Sequence, residues 1–558
     1  MKSKLSPLMA QYQEIKDEYS EGILFFQVGD FYETFYDDAR KVSRLLNIAL
    51  TSRDKKNPVP LAGVPMHAAG AYISKLLQAG EKVVICDQIE KPGEGKGIVR
   101  RKVTDIITPG TCLEPSTLDE KTNNYIAAVT EVNGKIGFSV IDLSTGEFHS
   151  MEGTPQMAEN LLSGYIVREA LIPDGSSGLV ELIRSGSPTC SIEEVPPYRF
   201  NIRETTAELL RHFGVNNLSC FGIEDRKLAV STAGVLLRHV KELRQSEMAH
   251  VSGIRYIVPE GTLFLDPETV RNLELVEPMR GDSPESTLIR HIDRTRTAAG
   301  ARMLRSWLMH PSRIKKTIER RLDGVSSFSS DQIRLREFRK ALSAFPDIER
   351  LLSRITTGKA GPRDVLSLGE AMERLPALVE ACIDPGDGII REKLGELSMT
   401  VEAGSLVVRS ISPDAPSKFK DGGVIRKGFD EDLDRLIEDS EGGRKWVARL
   451  QARERERTGI PSLKVGYNKV FGYYIEVSRI HEEKIPEDYT CKQSLVASQR
   501  YISGELKARE QEILTADSRR IELEKEIFGR ICTQISMESQ PIQTVARAIA
   551  VLDALSAL

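Results

Sequence analysis

Long hydrophobic runs are missing from this sequence. None of its apolar stretches approaches the roughly 20 residues that a membrane-spanning helix requires. The first five residues include two lysines, but polar residues follow them where a secretory signal would place an apolar segment. We therefore expect no membrane span and no signal peptide, and we predict a cytoplasmic protein.

Cysteine is scarce and scattered. The seven cysteines form no Cys-x-x-Cys pair, and the eight histidines are equally dispersed. An odd number of isolated cysteines is typical of reduced thiols rather than of a disulfide framework or a zinc site. We expect no metal site.

Neither sign of charge dominates. Lys and Arg together number 77 and Asp and Glu 81, which gives a net charge of −4, and 40% of the residues are hydrophobic. These values exclude a disordered polyelectrolyte and a uniformly basic nucleic-acid coat. They do not exclude DNA binding, because phosphate contacts need only a local basic surface. A chain of 558 residues is long enough for about four domains.

Two mixed α/β units are predicted in the first half of the chain. In the first, strands are expected at 23–28, 83–86 and 103–108, with helices at 6–19, 37–46 and 71–79. In the second, Asn133-Gly134 joins two strand-like segments, and this pair suits a hairpin turn in which both residues take positive φ. A third strand is expected at 147–151 and loops at 174–188.

Helices dominate from about residue 230. Helical periodicity is seen at 232–245, 287–309, 313–327, 331–342 and 363–383. Two charged helices, at 430–456 (interrupted at Gly442-Gly443) and 498–536, flank a strand-rich segment. This order predicts a small sheet at the end of two antiparallel helical arms, each about 45 Å long for 30 residues. A plain bundle with a hairpin insertion has the same topology.

The densest aromatic cluster surrounds Gly29-Asp30. Residues two apart in a strand share a face, so Phe31 and Glu33 are expected to project together. A ring beside a carboxylate is a poor core pair, because burying the charge costs several kcal/mol. A ring facing DNA could wedge between base steps from the minor groove, with the carboxylate beside it contacting a base edge. On the residues alone, a core cluster of aromatics is the simpler explanation.

The segment from Gly29 to Ala39, Gly-Asp-Phe-Tyr-Glu-Thr-Phe-Tyr-Asp-Asp-Ala, closely resembles the mismatch-reading motif of the MutS family of DNA mismatch-repair proteins. The resemblance continues in the same order along nearly the whole chain, at 61–68, 101–103, 107–111, 293–302, 307–308, 347–350, 463–468 and 472–475.

The resemblance implies a multidomain fold, mixed α/β followed by mainly α. It implies a mismatch-binding domain at 1–112, a ribonuclease H-like connector at 120–250, a helical core with lever helices at 251–428 and 498–558, and a β-rich clamp at 429–497. By position, Phe31 resembles the family's intercalating Phe and Glu33 its base-contacting Glu. From their chemistry and location, we predict DNA backbone contacts at Arg53, Lys56, Lys464, Asn468, Lys469, Lys492, Gln493 and Arg500. For Arg53 and Lys56, a solvated loop is the alternative.

One part of the family pattern is not found. The family's ATPase domain carries a P-loop, and the nearest segment here, 93–97, lacks the Ser or Thr after the Lys and the correctly placed first Gly. We interpret it as a flexible loop. We therefore expect a truncated product that is not an enzyme, with ATP and Mg²⁺ needed only by the missing domain. Homodimers, as in the full-length family, are in doubt for the same reason.

The expected function is recognition of mispaired or unpaired bases in double-stranded DNA for mismatch repair, by Phe wedge intercalation and kinking. The resemblance adds a MutL-type repair protein as a partner and a sliding clamp as a further candidate, and it implies association with the nucleoid of a bacterium or archaeon. The alternative is a MutS-like scaffold that binds DNA junctions or partners without sensing mispairs. A nuclease is a third hypothesis, but Asp142 and Glu147 alone are too few carboxylates for two-metal chemistry.

Overall fold

The computed structural model describes residues 6–52, 59–90, 99–279, 286–382, 388–398, 402–419, 422–468 and 472–558. The chain forms two compact units. The first comprises residues 1–360, 371–401 and 535–558, and the second comprises 361–370 and 402–534. Among the described residues, no helix is long and apolar enough to cross a membrane. The predicted combination of mixed α/β and helical parts is confirmed.

The first unit opens with a six-stranded sheet in the order β3-β4-β2-β1-β5-β6. Its strands and its three helices are β1 (Ile23–Val28), β2 (Phe31–Phe35), β3 (Thr51–Ser52), β4 (Pro60–Pro65), β5 (Val83–Gln88), β6 (Arg101–Ile107), α1 (Pro7–Glu18), α2 (Tyr36–Leu46) and α3 (Ala69–Gln78). Strand β1 pairs with β2 antiparallel and with β5 parallel. The sheet has a hydrophobic core on each face.

A second six-stranded sheet follows in the order β11-β10-β7-β8-β9-β12. Its elements are β7 (Tyr125–Val132), β8 (Lys135–Asp142), β9 (Glu147–Gly153), β10 (Val167–Pro173), β11 (Ser191–Val195), β12 (Arg255–Tyr256), α4 (Pro155–Gly164), α5 (Ser177–Gly186), α6 (Ile202–Phe213) and α7 (Lys227–Arg244). The predicted hairpin is confirmed, with φ of 52° at Asn133 and 74° at Gly134. The loop prediction at 174–188 is wrong, because buried Leu179 and Ile183 stabilise α5 against the sheet.

The remaining helices of the first unit are α8 (Pro267–Asn272), α9 (Leu288–Ile292), α10 (Ala298–Met309), α11 (Lys315–Ser330), α12 (Gln332–Leu342), α13 (Ile348–Thr356), α15 (Leu375–Ala381), α16 (Ile389–Leu397) and α20 (Ser539–Ala557). The single helix predicted over 287–309 is wrong. Thr297 caps α10 by accepting a hydrogen bond from the Gly300 amide, and the Asp553 carboxylate accepts the amides of Arg296 and Thr297. These contacts stabilise a helix start where sequence periodicity indicated a helix interior.

The second unit is built around two long helices, α18 (Glu431–Thr458) and α19 (Gly504–Met537), the latter ending in the first unit. It also contains α17 (Glu402–Ser410) and, in part, α14 (Pro362–Glu373). Between the long helices lie β13 (Lys464–Asn468), β14 (Gly472–Ser478), β15 (Tyr489–Ser494) and β16 (Ser498–Ser503), in the sheet order β13-β14-β16-β15.

The two long helices run antiparallel. Ion pairs join Arg453 to Glu505 and Arg530 to Asp430, and the Ser440 hydroxyl donates to Asp517 between them. Two details of the prediction are wrong. Helix α18 continues through Gly442-Gly443, because two glycines in a long packed helix weaken it without breaking it. Residues 498–503 form strand β16 rather than the start of α19, because they complete the sheet beside β14 and β15.

Candidate nucleic-acid interface

Phe31 stands at the exposed start of strand β2. It follows a two-residue turn, Gly29-Asp30, in which Gly29 takes a φ of 62° that favours glycine. The Phe31 side chain is 47% exposed, whereas Phe25, Phe26 and Phe35 are almost fully buried. Phe25, Phe26 and Phe35 therefore have the burial of a core cluster, whereas the Phe31 side chain lies outside that core.

Side chains from helix α1 and strand β6 cover two buried rings of the aromatic cluster but not Phe31. The Tyr12 ring packs edge-on against Phe35 and Phe26, with centroids 4.9 and 5.5 Å apart. The guanidinium of Arg101 covers Phe26 at 4.7 Å from the ring centroid. These groups cover the far end of β2 and the neighbouring strand, and Phe31 lies at the opposite end of its strand.

Phe31 and Glu33 flank the same point of the sheet, which is Gly63 of strand β4. Gly63 is paired with Glu33 in the register, and a Cβ built on Gly63 would lie 3.7 Å from Glu33 Cγ and 3.9 Å from Phe31 Cδ1. The two side chains therefore share one face, as the strand period predicts. The Glu33 side chain is half-buried.

The opposite face of β2 fixes the strand to the domain. Tyr32 donates a hydrogen bond to Asp87 at 2.7 Å, and Thr34 donates to the Ala62 carbonyl at 3.0 Å. Burial, together with the hydrogen bond to Asp87, raises the pKa of Tyr32, so this phenol stays a donor at neutral pH. Hydrogen bonds on the opposite face of β2 thus fix the strand that carries Phe31 and Glu33.

A second group of predicted residues meets on the four-stranded sheet. Strand pairing places Lys464 opposite Glu476, Glu476 opposite Arg500, and Arg500 opposite Gln493. Directly paired residues project from the same face, so these four residues form a cross-strand row, here named the clamp row. Three of the predicted contacts are therefore neighbours although they lie up to 36 positions apart.

The positive charge of the clamp row is partly neutralised by its own carboxylate, Glu476. Arg500 pairs with Glu476 at 3.2 Å, donates to Gln493 at 3.0 Å, and covers the Tyr474 ring at 4.2 Å from its centroid. Lys464 is exposed, and so is Lys492, which lies at a bulge beside the row. Glu476 was not among the sequence-predicted residues, because only the strand register reveals that a carboxylate lies between two cations.

The remaining predicted DNA contacts do not belong to the clamp row. Asn468 is half-buried at the end of β13. Arg53, Lys56 and Lys469 lie outside the described residues, as does the loop predicted at 93–97.

The two carboxylates considered for a nuclease are engaged in structural contacts. Asp142 is fully buried and accepts hydrogen bonds from the Ser144 amide and hydroxyl at 2.8 and 2.7 Å. Glu147 accepts a hydrogen bond from the Tyr125 hydroxyl at 2.7 Å. Asp142 therefore has the geometry of a turn residue at the end of a hairpin.

Family models and individual related proteins both match this chain to the same family. The family models for MutS domain I, MutS domain II and MutS domain III match residues 6–116, 124–252 and 268–558. The DNA mismatch repair protein MutS of Symbiobacterium thermophilum is 39% identical over 99% of this chain and 64% of its own length. The proteins of the same name from Myxococcus xanthus and Solibacter usitatus are each 38% identical, over 99% and 100% of this chain and 62% and 65% of theirs.

The chain thus spans somewhat less than two thirds of the length of these relatives. The match of domain III alone covers more than half of the chain, and the three matched domains follow one another in order. The segments that first suggested a relationship lie within these matches. The chain belongs to the MutS family.

Proposed function

We propose that this protein binds mispaired or unpaired bases in double-stranded DNA for mismatch repair, with Phe31 as the wedge and Glu33 as the polar contact. The exposed Phe31 ring, beside a carboxylate on the same strand face, is the observation that carries the proposal. Fully burying a large side chain stabilises by about 1.5–3 kcal/mol, and Phe31 is 47% exposed, so a ligand that covers the rest of the ring would gain up to about half of that energy.

The selectivity follows from DNA deformability. Inserting an apolar side chain between base steps costs a few kcal/mol, because stacking is lost. A mispair is already poorly stacked, so the same insertion costs less there than in regular duplex. Glu33 adds a negative charge that disfavours close approach of phosphates and offers an acceptor to a base edge.

The clamp row and Lys492 supply a second, sequence-independent contact in this proposal. Exposed cations bind phosphates and release counterions, which gives an affinity that falls with salt but does not read bases. Phosphate contacts at Arg53, Lys56, Asn468 and Lys469 remain part of the proposal. We assign no catalytic group to this region.

The wider partners stay proposals too. We propose that ATP and Mg²⁺ act through the ATPase domain that the family pattern adds, and that a MutL-type repair protein, a sliding clamp and a second copy of the chain take part in repair with it. The alternative, a scaffold that binds DNA junctions without sensing mispairs, predicts no special role for Phe31.

The experiment is an equilibrium binding comparison between a duplex with one G·T pair and its fully matched twin, at several salt concentrations. We expect tighter binding to the G·T duplex at every salt concentration, with parallel salt slopes for the two duplexes, because the phosphate contacts are shared. Equal affinities for both duplexes would favour the scaffold. Cleavage of either duplex in Mg²⁺ would instead revive the nuclease hypothesis.

A further inference from the structure

We infer that Gly63 is a specificity-determining residue, because its missing side chain keeps open the space between Phe31 and Glu33 into which a displaced nucleotide fits. This inference rests on the proposed function and names a part of that site which the aromatic motif does not contain. Gly63 lies on a different strand, 30 positions away from Glu33, and the two are brought together only by pairing between β2 and β4.

The geometry places Gly63 on the outward side of its strand. Its neighbours Ala62 and Val64 are each 1% exposed and pack in the core beneath the sheet, whereas Gly63 is exposed. Alternation along a strand puts Gly63 on the other face, which carries Phe31 and Glu33. A Cβ on Gly63 would lie between these two side chains and 3.5 Å from the Tyr32 carbonyl oxygen.

Backbone conformation does not explain a glycine here. Gly63 is absent from the residues with positive φ, so an L-amino acid can adopt its conformation. Packing does not explain it either, because the three nearest atoms to the built Cβ all lie at ordinary van der Waals distances of 3.5–3.9 Å.

Glycine is also a costly choice for this strand. A glycine within a strand is less stable than alanine, because it loses more conformational freedom on folding. Glycine in a strand interior often marks a place where a ligand or another backbone approaches closely. With backbone and packing set aside, approach of a ligand is the reason that remains.

The ligand at this position is the minor-groove edge of the nucleotide beside the wedge. If Phe31 enters a base step, the adjoining sugar and base edge must pass over the strand between Phe31 and Glu33. The methyl groups of valine at position 63 would occupy that space. Valine would therefore hinder insertion at a mispair, while contacts made by the clamp row to the DNA backbone would be unaffected.

The test compares Gly63→Ala and Gly63→Val with the wild-type chain, using G·T and matched duplexes together with thermal unfolding. Gly178→Ala is the matched control, since Gly178 has ordinary φ and open space around its built Cβ and lies in α5. We expect both Gly63 variants to unfold at or above the wild-type temperature. We expect Gly63→Val to lose about tenfold or more of the G·T preference, with Gly63→Ala intermediate and Gly178→Ala unchanged.

Each other outcome has a distinct meaning. Wild-type preference retained in Gly63→Val would overturn the inference while leaving the proposed function standing. A large fall in the unfolding temperature of Gly63→Ala would overturn it in another way, because the glycine would then be required by the fold. Absence of any G·T preference in the wild-type chain would defeat the proposed function and this inference together.

Discussion

The Arg302 guanidinium donates hydrogen bonds to both carboxylate oxygens of Asp347, at 2.7 and 2.9 Å. It also donates to Glu349 at 2.6 Å, and the Arg302 side chain is almost fully buried. Burial alone would lower the pKa of Arg302, but Asp347 and Glu349 outweigh it and raise that pKa. Two of the segments that resemble the MutS family, 45 residues apart, are thus joined by a buried ion pair.

Breaking this pair is expected to destabilise the first unit. Replacing Arg302 with Met removes the cation that Asp347 and Glu349 share, while Arg350 stays 3.7 Å from Asp347. The two carboxylates are 18% and 20% exposed, so the loss is at most the roughly 3–5 kcal/mol expected when a buried ion pair is broken. The measurement is the unfolding midpoint in urea, with Arg313→Met as the control at an exposed arginine. An unchanged midpoint for Arg302→Met would contradict the assignment of this pair as a stabilising contact.

A second stability prediction concerns Gly300 in α10. A Cβ at Gly300 would collide with the Asp553 carboxylate, which accepts the Thr297 amide and hydroxyl, each at 2.7 Å. Gly300→Ala should therefore destabilise the chain by about 1–3 kcal/mol, because the cap of α10 must shift. Gly395→Ala, in α16 with open space around its built Cβ, should instead be neutral or stabilising. Equal effects of the two variants in thermal unfolding would show that the collision is relieved without cost.

Stability should fall in mild acid. Burial lowers the pKa of His250 to about 4 and of His310 to about 4, and it lowers that of His149 to about 3. The unfolded chain, with histidine pKa values near 6.5, takes up protons first as the pH falls. The contribution of these histidines to the free energy of unfolding should therefore be fully present above about pH 7 and decrease from about pH 6.5 towards pH 4.

His250 offers the clearest check of this pH dependence. Its ring contacts the Leu143 carbonyl and the Thr356 hydroxyl at 2.8 and 2.9 Å. Gln at position 250 cannot take up a proton, so the decrease in unfolding temperature between pH 7 and pH 5 should be smaller in His250→Gln than in wild type. His291→Gln, at an exposed position, should keep the wild-type decrease. An equal decrease in all three proteins would exclude His250 as a contributor.

Removing a cation from the clamp row should weaken DNA binding, and removing its carboxylate should strengthen it. Lys464→Ala should weaken binding to matched and G·T duplexes equally, and it should reduce the slope of log affinity against log salt by about one unit. Glu476→Gln should strengthen binding to both duplexes, because it removes the carboxylate that neutralises Arg500. Lys315→Ala, at an exposed lysine of the first unit, is the control for general charge effects. A change in G·T preference in Lys464→Ala would contradict the assignment of the clamp row to backbone contacts.

The sequence correctly predicts those turns and strands that are determined by residues next to one another in the chain. The Asn133-Gly134 turn and the strand at 23–28 are both present, because turn chemistry and apolar runs act over a few residues. Strand β16 and the break before α10 were missed. In both cases the deciding contact comes from a distant part of the chain, a neighbouring strand for Ser498 and Asp553 for Thr297.

The candidate site likewise has some features that the local sequence predicts and others that depend on contacts between distant segments. Strand alternation was enough to place Phe31 and Glu33 together, but whether the ring was buried depended on where α1 ends its coverage. In the sequence, only the family resemblance favours an exposed Phe31 ring. Gly63 lies in a segment that resembles the family, but the sequence does not predict which side chains lie beside Gly63 or Glu476, since those neighbours depend on the pairing register of two strands.

The central claim is that the Phe31 ring enters the base stack at a mispair. The most direct measurement is the fluorescence of 2-aminopurine placed beside a G·T pair, because this base brightens when it is unstacked. At saturating protein, we expect wild type and Leu50→Ala, a control at an equally exposed side chain of the same domain, to raise the fluorescence. Phe31→Ala should bind without raising it. An equal rise with Phe31→Ala would show that the base is unstacked without this ring and would contradict the proposed mechanism.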